Sequence, residues 1–394
     1  MNEQKKSGKL SAVSRRQFLK GMGMGVAVLG STLKLESVDD REDRKKEVRG
    51  VDIHPSHQFD KDKSEGIKQC KAAVDLLYKC NFNFLRPFVV VTRCDANYNS
   101  KIVPIKNFNE WDPLEVMVEE AHSRGMEVHP FVCVVPQGKG DLHQPGNLGP
   151  VLEQHPDWAM ANKKGELIGW AEPLHPEFRK YAISIIEEIV EGYDVDGISF
   201  DYVRYPDRDS GYSEYSRKKF KEEFKVDPTD IAEGDPMEEK WDQWRIRNVD
   251  RLVGMIRSAI REIRSNVILS AYVWTPRDPH ICLRDWLAWI EKGYLDAINS
   301  TGYLYDFEKY MERCRTSISA AKKVKKDIPA FINVGVHTSH GDLQNPAEVI
   351  KWTQGAREAG ADGISYFALK AFMPWLEEVS KSVFPKKADL PWKR

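Results

Sequence analysis

From Arg49 onward the chain alternates eight times between a short β-rich run and a longer amphipathic stretch, and no other feature narrows the available folds as much. The β-rich runs are 49–54, 82–90, 127–135, 197–203, 267–274, 297–305, 328–337 and 363–369. Between them apolar residues recur at helical spacing, as at Ile67, Ala72, Val74, Leu76 and Leu77 before the second run and from Trp241 to Ile263 before the fifth. Asp112-Pro113 and Asn345-Pro346 each set a capping residue ahead of a proline that suits the first helical turn. Strands that alternate with helices of this length are joined in parallel, with the helices covering the sheet.

A closed ring is expected rather than an open sheet. Asp196-Gly-Ile-Ser-Phe200 is echoed by Asp362-Gly-Ile-Ser-Tyr366, at the fourth and eighth strands. Val51-Asp-Ile-His-Pro55 lacks the G-x-G-x-x-G loop that usually follows the first strand of an open nucleotide-binding sheet. The expected fold is therefore α/β, a (β/α)₈ TIM barrel, with long loops after strands 3 and 4 (roughly 136–175 and 204–240). Trp158 and Trp170 lie on the first loop and Tyr205, Tyr212 and Tyr215 on the second, so the two are expected to wall a cleft with faces that suit sugar rings.

The chain divides into a signal segment at 1–35, a charged linker at 36–47, the barrel at 48–385 and a tail at 386–394. Ser14-Arg15-Arg16-Gln17-Phe18-Leu19-Lys20, followed by a glycine-rich apolar run to Gly30, resembles a twin-arginine export signal. That run reaches about half of the ~20 residues a stable span needs, so no stable membrane span is expected. The expected location is periplasmic or extracellular, with the twin-arginine translocase as partner during export. Lys plus Arg (59) balance Asp plus Glu (60), which removes the one-signed field that nucleic acid or an anionic membrane would select. A neutral partner fits that balance, and the expected partner is a carbohydrate substrate, a poly- or oligosaccharide. Six scattered cysteines form no C-x-x-C pair; no disulfide is assigned from their spacing, and no metal or other cofactor is expected.

Strand parity singles out Asp201. If Ile198 and Phe200 face the helices, then Gly197, Ser199 and Asp201 point inward and a carboxylate stands at the C-terminal mouth. The same argument turns Asp52 and His54 inward on the first strand. Glycoside hydrolysis normally needs two carboxyl groups. Glu172, beside Trp170, is the preferred second, with Asp52 and Asp306 as alternatives. The expected substrate-binding set is Asp52, Arg86, His129, Trp170, Tyr202, Arg204, Trp274, Tyr303, Asn333, His337 and Tyr366. Two other readings compete with hydrolysis by carboxylates. One is a carbohydrate-binding barrel without turnover; the other is a metal-dependent barrel hydrolase built on His54-Pro-Ser-His57.

Several of these segments together resemble the bacterial glycosyl-hydrolase-like family ten. They are Arg49-Gly-Val, Trp111-Asp-Pro-Leu-Glu115, Ala121 to His129, Leu174-His-Pro-Glu177, Tyr193 to Pro206 and Trp241-Asp-Gln-Trp-Arg245. The resemblance spans about residues 48 to 380 and implies a (β/α)₈ barrel that cleaves glycan strands such as those of peptidoglycan, with Asp201 in the place of the family's acidic residue on strand four. The chain departs from the family where Tyr202 replaces a paired acid and where Ser300-Thr301 replaces Pro-Gln.

Overall fold

The computed structural model describes residues 45–300 and 303–393, so the twin-arginine segment and most of the linker lie outside the described residues. Eight parallel strands form the ring: β1 Val48–Ile53, β2 Phe84–Val90, β3 Phe131–Cys133, β4 Gly197–Asp201, β5 Ile268–Val273, β6 Ala297–Ser300, β7 Ala330–Gly335 and β8 Gly363–Phe367. Each pairs with its successor, and the ring closes because β1 pairs with both β2 and β8, setting Asp52 opposite Arg86 and Gly50 opposite Ser365. The expected barrel is thus the observed one. The third β-rich run differs in detail. It breaks into Glu127–Val128 and β3 around Pro130, which has no N–H to give a ladder.

Helices fill the intervals as their periodicity requires: α1 Lys63–Lys79, α2 Pro113–His122, α3 Pro176–Gly192, α4 Pro236–Ile263, α5 Trp286–Glu291, α6 Phe307–Val324, α7 Pro346–Glu358 and α8 Leu376–Val383. Asp112 accepts the N–H groups of Leu114 and Glu115 at the head of α2, and Asn345 accepts that of Glu348 at the head of α7, each with proline in the first turn. On α4 the buried stripe Trp241, Arg245, Asn248, Leu252, Ile256, Ile260 repeats every three to four residues and seats the helix on the barrel.

Strand alternation then separates two interiors. Val51, Ile53, Ile198 and Phe200 join the large core between ring and helices, while Asp52, Ser199 and Asp201 belong to the inside of the ring. The echo between strands four and eight has a physical basis that also covers strand six. Asp196 Oδ2 accepts Val128 N–H at 2.8 Å, Asp296 Oδ2 accepts Leu269 N–H at 2.9 Å, and Asp362 Oδ2 accepts Ala330 N–H at 2.9 Å. Each aspartate immediately precedes an even-numbered strand and satisfies a backbone donor at the start of the preceding β-run, which the ladder leaves unpaired.

Residues 386–393 pack beneath the ring. Leu390 is buried with Val48, Phe84, Ala297 and Phe331, Trp392 packs against them and donates to Glu127 at 2.8 Å, and Asn83 donates to Ala388 O at 2.8 Å. Glu47 is fully buried and paired with Arg49 and Arg357, so the folded body includes the last residue of the expected linker. No helix among the described residues is long and apolar enough to cross a membrane.

Candidate active site

A cavity of about 500 Å³ opens at the C-terminal ends of the strands, the end at which barrel enzymes carry their chemistry. Its floor is aromatic: Phe88 from β2, Phe131 from β3, Tyr272 from β5 and Phe367 from β8, joined by Tyr303 just beyond β6. Its rim is short. Val91 and Thr92 follow β2, Trp274 follows β5, and Thr338 to His340 follow β7.

Asp201 ends β4 and faces this space, 9% exposed. Its Oδ1 accepts the N–H of Tyr202 at 2.5 Å, and Tyr202 takes φ 55°, the left-handed turn that swings its ring to the cavity wall. Two guanidinium groups stand near the carboxylate, yet both are bonded elsewhere. Arg204 Nη1 donates to Tyr205 O at 3.0 Å and Pro206 O at 3.2 Å, and its plane lies 4.5 Å from the Trp274 ring and 5.0 Å from Trp170. Arg284 pairs with Asp278 and donates to Tyr272 O at 3.0 Å. Burial raises the Asp201 pKa, and the charges of Arg284 and Arg204 offset only part of that rise. The result is a buried carboxyl group without an ion-pair partner among the described residues, whose proton is held more tightly than that of a surface aspartate.

Among the described residues that line the cavity, Asp201 is the one carboxylate. His54 stacks on Phe88 with ring centroids 3.8 Å apart, and burial followed by His57 lowers its pKa to about 4, so a neutral imidazole faces the cavity. Tyr272 and Tyr303 lie 5.8 Å apart, and burial pushes both phenols well above their ordinary value. No group of three or more His, Cys, Asp or Glu that would hold a metal ion occurs among the described residues.

Of the residues expected from sequence, Asp201, Tyr202, Trp274 and Tyr303 meet at the cavity, with Arg204 packed directly behind. The others lie elsewhere for identifiable reasons. Glu172 is fully buried off the cavity, where Tyr205 and Ser213 each donate to it at 2.9 Å. Asp52, Arg86 and Asn333 form a bonded group lower in the ring. His129 sits at the opposite end against Phe84, Glu127 and Trp392. Trp170 is buried under Arg204, and exposed His337 pairs with Asp342 on a small hairpin. Tyr366 faces the helices, stacked on Phe372 and bonded to Thr353, because Ser365 and Phe367 take the inward positions of β8. Asp306 caps α6 through Lys309 N–H.

The two long loops are not the walls expected of them. No residue of either stretch lines the cavity, and Tyr202, which does, precedes the second. The first folds into a hairpin of Ala159–Ala161 with Leu167–Ala171 that buries Trp158 and Trp170, and the second carries Tyr212 into a separate cluster with Phe220, Trp241 and Trp244. Missed instead were Phe88, Phe131, Tyr272 and Phe367 as cavity residues. Tyr272 shares the parity of Trp274, a signal already present in the fifth β-rich run.

Comparison with known proteins agrees with this architecture. The family model described as Glycosyl hydrolase-like 10 matches residues 47–348. Glycosyl hydrolase DigH of Escherichia coli is 29% identical over 213 residues, covering 48% of this chain and 45% of that protein. Glycosyl hydrolase YngK of Bacillus subtilis is 29% identical over 159 residues, covering 40% of this chain and 28% of that one. The matches therefore span less than half the length of these curated relatives. Among solved structures, the PgaB (BpsB) glycoside hydrolase domain from Bordetella bronchiseptica superposes with a TM-score of 0.66 at 14% identity, covering 87% of this chain and 100% of that chain. At that identity the likeness shows the fold.

Proposed function

The chain belongs to the Glycosyl hydrolase-like 10 family, and from that premise we propose that it is an exported glycoside hydrolase cleaving O-glycosidic bonds of a polysaccharide or peptidoglycan glycan by carboxylate acid/base chemistry. One observation carries the reading: an ion-pair-free, buried Asp201 projects into an aromatic-floored cavity at the C-terminal mouth of the barrel. The names of the two relatives and of the superposed domain point to the same reaction class.

Hydrolysis needs a proton on the departing oxygen and a group that meets the positive charge at the anomeric carbon. Asp201 serves the first role, since burial keeps its proton to a higher pH than a surface aspartate would. For the second role, the described residues that line the cavity offer no other carboxylate. A 2-acetamido group on the sugar itself fills that role, as in hydrolases that use substrate assistance. Both sugars of a peptidoglycan strand carry that group, and this favours peptidoglycan over unsubstituted glucans. Phe88, Phe131 and Trp274 then meet the C–H faces of the ring, while Tyr272, Tyr303 and neutral His54 meet its hydroxyls.

The lone carboxylate also favours a second reading, a carbohydrate-binding barrel without turnover. Incubating the chain with peptidoglycan glycans and a panel of polysaccharides, and measuring new reducing ends, separates the two. Release abolished by Asp201→Asn supports hydrolysis; retention of a glycan with no release from any substrate establishes the binding protein. Export rests on the Arg15-Arg16 segment.

A further inference from the structure

The inside of the ring is built in three tiers. The lowest is apolar, with Val48, Phe84, Ala297 and Phe331 closed from below by Leu390. The highest is the aromatic floor of the cavity. Between them runs a polar belt, Asp52, Arg86, Ser199, Ser270, Asn299, Asn333 and Ser365, drawn from seven of the eight strands and at most 1% exposed. Branched apolar side chains dominate this position in barrels of the type. Short serines and asparagines fill less of it.

Part of the belt satisfies itself. Arg86 binds Asp52 through two bonds of 2.5 and 2.8 Å, reaches Ser365 Oγ at 3.3 Å, and Asn333 donates to Asp52 at 2.7 Å. The remainder has no partner in the protein: Arg86 Nη1, Ser199 Oγ, Ser270 Oγ, Asn333 Oδ1 and both polar atoms of Asn299. Six unmet buried groups would cost a large share of the folding free energy of a domain. Their chemistry identifies what meets them. An anion fits Arg86 but not the Asn333 oxygen or neighbouring Asp52; a cation fits the oxygens but not Arg86. A molecule that both donates and accepts fits all of them.

We propose that the polar belt is a water-binding site, a cluster of ordered water molecules held by Arg86, Ser199, Ser270, Asn299 and Asn333 beneath Asp201. Ser199 lies two residues before Asp201 on the same face of β4, Ser270 is its register partner on β5, and Asn299 is the register partner of Tyr272. The cluster therefore reaches from the Asp52–Arg86 pair to the underside of the cavity and links that pair to the acid by hydrogen bonds. Its effect on turnover rests on the glycosidase reading; its existence does not.

The test has two arms. Crystal structures of the wild type, Asn299→Leu and Ser270→Ala at a resolution that shows solvent should reveal peaks within hydrogen-bond distance of at least two of the named atoms, fewer in each variant. The pH–rate profile of each variant should shift on the limb set by Asp201, by several-fold in rate at a fixed pH, with little change in KM. Belt side chains bonded directly to one another with no solvent density, or a density that scatters as chloride or a metal ion, would overturn the site. An unshifted profile in a correctly folded variant would overturn its link to Asp201. If the wild type turns nothing over, the glycosidase reading fails and the crystallographic arm alone decides this one. Ser270→Ala guards against misfolding of the larger replacement.

Discussion

The Tyr205 hydroxyl donates to Glu172 Oε1 at 2.9 Å, and with the matching bond from Ser213 it ties the loop after β3 to the loop after β4. Burial raises the Glu172 pKa and these hydrogen bonds offset part of that rise, so the group is spent on holding two loops together. Glu172→Ala should lower stability by roughly 2–4 kcal/mol, the range for breaking a buried polar network. Urea denaturation measures it. A variant as stable as the wild type but without turnover would return Glu172 to the chemistry.

Asp201 is shifted in the same direction but lacks the two side-chain hydroxyl donors that hold Glu172. Its folded pKa is raised, so the folded chain holds a proton that the unfolded chain gives up, and stability falls as pH rises from the ordinary aspartate range through the raised value. Asp201→Asn should therefore melt higher than the wild type near pH 7, with the gap closing in acid. Turnover should drop by roughly 10²–10⁴, as expected for loss of a general acid. Equal melting temperatures at both pH values would mean the carboxylate is not buried without an ion partner.

His54 gives a second pH signature. With a folded pKa of about 4 against 6.5 for the free side chain, the unfolded chain binds a proton across that window and the folded chain does not. Stability should fall as pH drops from 6.5 towards 4. His54→Phe, which keeps the stacking on Phe88, should flatten that part of the curve of melting temperature against pH.

The aspartates ahead of β4, β6 and β8 each satisfy one backbone donor. Alanine at Asp196 or Asp362 should cost roughly 1–2 kcal/mol by leaving that N–H unmet, read from chemical denaturation. No loss at either position would show that water reaches the freed donor.

Export is tested by Arg15→Lys with Arg16→Lys. The double variant should stay in the cytoplasm of the producing cell, as fractionation and immunoblotting would show. Unchanged export would point to another route.

The ring and Asp201 were legible in the sequence because both follow from alternation, of strand with helix and of inward with outward side chains. Parity applied to Gly197, Ser199 and Asp201 reached the cavity; applied to Ser270 and Tyr272 it would have reached the other wall. The rim was not legible, because loop length says nothing about direction. The long loops spend Trp158, Trp170 and Tyr212 on their own packing, while Val91, Thr92 and the Thr338 to His340 turn close the cavity with few residues. Glu172 misled for a related reason: a carboxylate beside a tryptophan reads alike whether the pair faces a substrate or a hydroxyl from the next loop.

The strap formed by residues 386–393 has a practical meaning. It runs across the underside, where Lys46 and Asp389 meet in a single bridge. A surface or fusion partner tethered after residue 393 would hold the molecule from below, leaving the mouth turned outward.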